Sequence, residues 1–94
     1  MATLSASYSA GVTSFSLTGF QPNQQVTVWV METGGGLYVT ANASGSYSGA
    51  FVNNDPPGAY TLKAQDSYGH SATASFTIPA PGKARSMEVG YAKV

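Results

Sequence analysis

The strongest regularity along this chain is a period-two alternation of apolar and polar side chains. Phe15 and Leu17 alternate with Ser14, Ser16 and Thr18, and Ala72, Ala74, Phe76 and Ile78 alternate with Ser and Thr. Successive side chains of an extended backbone point to opposite faces, so this pattern predicts half-buried β-strands. No window repeats apolar residues at three-and-four spacing between helix caps, and no helix is predicted. The alternation marks seven strands: Thr3–Ser9, Thr13–Thr18, Gln25–Met31, Leu37–Ala41, Tyr47–Val52, Tyr60–Gln65 and Ala72–Ile78. Between them lie turn formers: Glu32-Thr33-Gly34-Gly35-Gly36, Asn42-Ala43-Ser44-Gly45, Asn53-Asn54-Asp55-Pro56-Pro57-Gly58 and Asp66-Ser67-Tyr68-Gly69-His70. Gly accepts positive φ, Pro cannot donate to a ladder, and Asn and Asp bond their own backbone.

The third strand is apolar on both sides. Val26, Val28 and Val30 face one way and Trp29 and Met31 the other, as expected of a central strand or of a partly covered outer surface. Seven short strands with frequent turns predict an all-β domain, a sandwich or small barrel. Two sheets packed face to face would merge the inward residues into one core, which favours the sandwich over a closed barrel. Val28, Leu62 and Phe76 are expected in that core.

Five segments, in order, resemble the repeats of bacterial immunoglobulin-like domains. Gly19-Phe20-Gln21-Pro22-Asn23 followed by Val26 and Val28 resembles their "G-F-x-P-x" entry. Ala41-Asn42-Ala43-Ser44-Gly45-Ser46-Tyr47 resembles the "A-D-x-x-G-x-F" hairpin, with Asn42 in place of Asp. Pro57-Gly58-Ala59-Tyr60-Thr61-Leu62 resembles "P-G-x-Y-x-L". Ala64 to Gly69 and Ala74 to Ile78 resemble the closing "A-x-D-x-x-G … A-x-F-x-V" hairpin. The resemblance covers roughly residues 3–79. It implies an immunoglobulin-like β-sandwich of about seven antiparallel strands. It also implies a module that adheres, spaces or decorates, on bacterial surface proteins, secreted enzymes or phage virions. It implies no catalytic residues.

Composition narrows the chemistry. Only 9% of the 94 residues are charged and the formal net charge is zero, so solubility rests on hydroxyls and amides. Apolar residues make up 43%, enough for one core. There is no cysteine, which excludes disulfides and thiolate metal sites and leans toward a bacterial, archaeal or phage source. No run approaches the ~20 apolar residues of a membrane-spanning helix, so no membrane insertion is expected. Met1-Ala2-Thr3-Leu4 does not read as a signal peptide. The first eighty residues set Glu32, Asp55 and Asp66 against Lys63, leaving no basic stripe for nucleic acid.

Four candidate sites stand out. His70, the lone histidine, lies in a turn and reads as a solvated turn residue. Asp55 and Asp66, with the carbonyls of Asn53 and Asn54, could serve calcium. Two carboxylates in separate loops fall short of the six to eight oxygens calcium takes, so structural turn roles are expected and no metal or cofactor is assigned. Gly34-Gly35-Gly36 lacks the lysine and helix of a phosphate loop and reads as a hairpin tip. Trp29 is first a core or interface tryptophan, and second a glycan platform with Tyr38 and Tyr47.

The last residues break the pattern. Pro79-Ala80-Pro81-Gly82 reads as a stiff linker, dividing an immunoglobulin-like sandwich over residues 1–79 from a linker and C-terminal arm over residues 80–94. Lys83, Arg85 and Lys93 hold most of the positive charge, and Met87, Val89 and Tyr91 alternate with Glu88, Gly90 and Ala92. A terminal strand pattern beyond a complete domain suits addition to a sheet edge, either of its own domain or, as favoured here, of a neighbouring chain, with Lys83, Arg85, Met87, Val89 and Tyr91 as the contact residues. The sequence therefore favours a non-enzymatic structural display protein on a virion surface or outside the cell, such as a capsid decoration. Its partners would be protein subunits of that assembly, further copies of itself among them. The alternatives are a spacer or cell-adhesion module excised from a larger secreted or surface protein, and a carbohydrate-binding module taking a cell-surface glycan.

Overall fold

A computed structural model describes residues 1–80. Seven strands form: β1 (Thr3–Ser9), β2 (Val12–Thr18), β3 (Gln25–Val30), β4 (Gly36–Thr40), β5 (Tyr47–Val52), β6 (Gly58–Asp66) and β7 (Ser71–Ile78). They pair antiparallel in two sheets, one ordered β1-β2-β5 and the other β4-β3-β6-β7. The sequence-predicted strands are all present, with ends moved by at most two residues. The two sheets are separate, so the domain is a sandwich and not a closed barrel. β1 runs beside β7 along one seam of the sandwich, but among the described residues no ladder joins the sheets.

Alternation sets which side chains enter the core. In β2, Thr13, Phe15 and Leu17 are buried while Ser14, Ser16 and Thr18 face solvent. From the opposite sheet come Val26, Val28, Val30, Val39, Leu62, Ala64, Phe76 and Ile78, and Phe20 and Ala41 close one end. Leu17, Val26, Val28, Leu62 and Ala64 are fully buried, and all sit on the central strands β2, β3 and β6. Each of the leucines and valines among them contributes roughly 1.5–3 kcal/mol by leaving water. Val28, Leu62 and Phe76 share this core, as their alternation predicts.

The two ends of the sandwich differ. At one end lie the two-residue hairpin Ala10-Gly11, the β3–β4 turn, the Asn53–Pro57 connection and the end of β7. Ala10 and Gly11 both take positive φ, 51° and 82°, the geometry of a tight hairpin that follows strand twist. At the other end, the turn after β4 is held by Asn42, whose Oδ1 accepts from the N–H groups of Ser44 (2.8 Å) and Ser46 (3.0 Å). Gly45 completes that turn at φ 76° and accepts a backbone hydrogen bond from Phe20 N–H at 3.1 Å. A Cβ at Gly45 would run into the Phe20 carbonyl oxygen, so glycine is needed for both conformation and space.

Candidate functional site

Trp29 lies on the outer face of the four-stranded sheet, half-buried, and not in the core as a third-strand tryptophan most often does. The three valines of β3 already fill the interior opposite Leu17 and Phe15, and their compact branched side chains suit that space. Trp29 pairs with Gly36 on one side and Lys63 on the other. Gly36 lets the two strands approach here, since a Cβ would run into the Val28 carbonyl oxygen and would come within 2.6 Å of the Trp29 Cβ. The Lys63 ammonium sits 5.8 Å from the indole centroid, a cation–π contact. With Gln24, Gln25, Thr27, Gln65 and Ser67, the indole lines a shallow concavity of about 580 Å³.

Tyr38 shares this outer face. It is 70% exposed and pairs with Thr27, which makes it a diagonal neighbour of Trp29. Tyr47 does not share it. That ring belongs to the other sheet, points inward and stacks on Phe15 with centroids 6.0 Å apart. A glycan platform of Trp29, Tyr38 and Tyr47 therefore reduces to Trp29 and Tyr38. Gln25, Thr27, Lys63 and Gln65 complete the face. Their signal in the sequence was alternation out of phase with the buried residues of β3 and β6.

Asp66 and Asp55 stand at opposite ends of the sandwich and cannot share an ion. The Asp66 side chain is fully buried. One oxygen accepts from Gln21 N–H (2.9 Å) and from the His70 ring (Nδ1, 2.8 Å); the other accepts from Tyr68 N–H (2.9 Å) and His70 N–H (3.0 Å). Burial alone would raise this carboxyl. The hydrogen bonds from Gln21, His70 and Tyr68 outweigh it and bring the pKa down from 3.8 to about 2. His70 is thus no solvated turn histidine: its ring joins a corner that ties the β6–β7 turn to the loop before β3. This bond was hidden in the sequence because Gln21 lies 45 residues from Asp66.

Asp55 belongs to a second polar anchor. Asn53 is buried, donates from Nδ2 to Thr13 Oγ1 at 3.0 Å, and accepts from Asp55 N–H at 3.0 Å. Its own N–H reaches the Gly11 carbonyl at 2.9 Å. The Asn53 side-chain carbonyl is therefore committed to holding the connection in place. Nearby, Glu32 accepts from Thr61 N–H at 2.8 Å, which lowers its pKa. The Tyr60 phenol is pushed up by burial and then by Asp55 and Glu32, so both carboxylates face this end of the sandwich. Among the described residues no three His, Asp or Glu side chains come together.

The sandwich opens on the side away from β1 and β7. Between β4 and β5 lies a cavity of about 290 Å³, lined by Val30, Leu37, Phe51, Val52, Asn53 and Asp55 among others. Leu37 and Phe51 point inward yet stay partly exposed, and Val52 on the lip is 72% exposed. The arm residues Lys83, Arg85, Met87, Val89 and Tyr91 lie outside the described residues. No protein-family model matches the chain, and no curated protein matches it.

Proposed function

We propose that this chain is a non-catalytic, immunoglobulin-like display module, most concretely a decoration or accessory component of a phage virion, attached through residues 83–94. The observation that carries the reading is that, among the described residues, two complete sheets and a shared buried core are built within Ala2–Ile78. The alternating, cationic sequence of residues 83–94 suits an attachment arm. The strand order supports the immunoglobulin-like part: β1-β2-β5 faces β4-β3-β6-β7, with the chain crossing between sheets after β2, β4 and β5. The non-catalytic part is supported by the Asp66–His70 pair, whose carboxylate is saturated by three backbone N–H groups and the imidazole. Deleting residues 82–94 is expected to leave a cooperatively folded domain that no longer attaches to purified particles. Measured by thermal unfolding and co-sedimentation, a truncated chain that still attaches would overturn the reading.

A second reading follows from the outer face of the four-stranded sheet. An indole beside an exposed Tyr38, flanked by the amides of Gln25 and Gln65, offers stacking and hydrogen bonds to a sugar ring. Trp29→Ala should abolish binding on a glycan array while far-ultraviolet circular dichroism stays unchanged. An array blank for the unaltered protein removes this reading.

A further inference from the structure

We infer that the open seam between β4 and β5 is the acceptor for residues 83–94 of a second copy of this chain. This rests on the attachment role proposed above and names the arm's partner. Among the described residues β4 and β5 are the outermost strands of their sheets on this side, and no strand pairs with their outer edges. Between them Val30, Leu37 and Phe51 give the cavity an apolar side; Val30 is buried, whereas the inward Leu37 and Phe51 are incompletely covered. A strand added there would gain main-chain hydrogen bonds and bury one face in the cavity. The arm has that face in Met87, Val89 and Tyr91.

Charge agrees with this placement. Asp55 lines the cavity, and Glu32 stands beside Thr33 at the same end. Lys83 and Arg85 precede the apolar triplet and would meet these carboxylates at the mouth as Met87 enters. Direction favours a second copy over the same one. β5 and β7 both run toward this end, so a chain entering its own seam from there would have to reverse fully after Ile78. It would also have to cross three strand spacings of ~4.8 Å. Two prolines, Pro79 and Pro81, disfavour such a reversal, because proline favours extended backbone. One arm in the next copy's seam is a head-to-tail contact, which builds rings or strings of subunits.

The absence of cysteine makes a disulfide test clean. An affinity-tagged full chain carrying Val52→Cys is mixed with untagged chains carrying Met87→Cys, Val89→Cys or Tyr91→Cys, and oxidised mildly. The control places the first cysteine at exposed Ser5 on β1, away from the seam. At least one arm position should give a heterodimer with Val52→Cys at about tenfold the control yield, falling several-fold in high salt as Lys83 and Arg85 are screened. Equal yields from Val52→Cys and Ser5→Cys would overturn the seam. A chain carrying both cysteines that forms only an internal disulfide at every concentration would overturn the second copy. Particle attachment of the truncated chain, scored in parallel, separates the two ideas. Lost attachment without seam cross-linking removes the seam and keeps the arm's role, whereas cross-linking with attachment intact removes the role and keeps the seam.

Discussion

Replacing Phe76 with Ala should cost about 3–5 kcal/mol of folding stability. Phe76 is 5% exposed and stacks on Tyr60 with centroids 5.6 Å apart. It comes from β7, an outer strand of its sheet, and reaches inward to fill the core beside β1. Removing the ring takes away its transfer free energy and leaves a void that two ladder-bonded sheets cannot collapse to fill. Domains of this size hold only ~5–15 kcal/mol in total, so the variant should sit near its unfolding threshold. Phe76→Leu keeps most of the volume and should cost under about 1.5 kcal/mol. Urea unfolding monitored by Trp29 fluorescence measures both. A loss under about 1 kcal/mol for the alanine variant would place Phe76 outside the core.

The second large effect is on acid stability, through Asp66. Its folded pKa, about 2, lies below the ordinary 3.8. A depressed carboxyl contributes its full stabilisation above the unfolded value and loses it as pH falls through the folded one. The contribution is therefore complete above about pH 4 and gone near pH 2, and amounts to about 2 kcal/mol. Asp66→Asn keeps the shape but turns an amide donor toward a cluster of N–H groups. It should cost about 2–3 kcal/mol at pH 7 and flatten the decline in stability between pH 4 and pH 2. Urea midpoints for both proteins at pH 7, 4 and 2.5 test this. Parallel decline of the two would show that other groups govern acid unfolding.

The contrast between Phe76 and Asp66 marks how far the sequence could be read. Phe76 announces itself, because Ala72, Ala74, Phe76 and Ile78 share one phase of a period-two pattern. The same logic placed Val28 and Leu62 and all seven strands. Alternation assigns each residue to one of two faces, but it does not say which sheet a strand joins or which face is inner when both are apolar. Hence Trp29 remained open between core and surface, and Tyr47 was grouped with it although the two lie on different sheets. Asp66 is a turn former by composition and a buried anchor by geometry. Its decisive partner, Gln21 N–H, is a backbone group, which carries no sequence signature. The β4–β5 seam was invisible for a related reason: it exists because of strand order, which local patterning does not encode.

The Asp66 corner also bears on how fast the domain comes apart. It joins a turn in one half of the chain to a loop in the other, 45 residues away. Such a contact rewards the chain only after the long loop between its partners has closed and β3 has already found β6. Interactions completed that late stabilise the native state without lowering the barrier to reaching it, so weakening them shows chiefly as faster unfolding. A corner held by a titrating carboxylate thus works as a kinetic latch. At neutral pH it should lengthen the lifetime of the folded domain, and acid strong enough to protonate it should raise the unfolding rate while leaving the folding rate nearly the same.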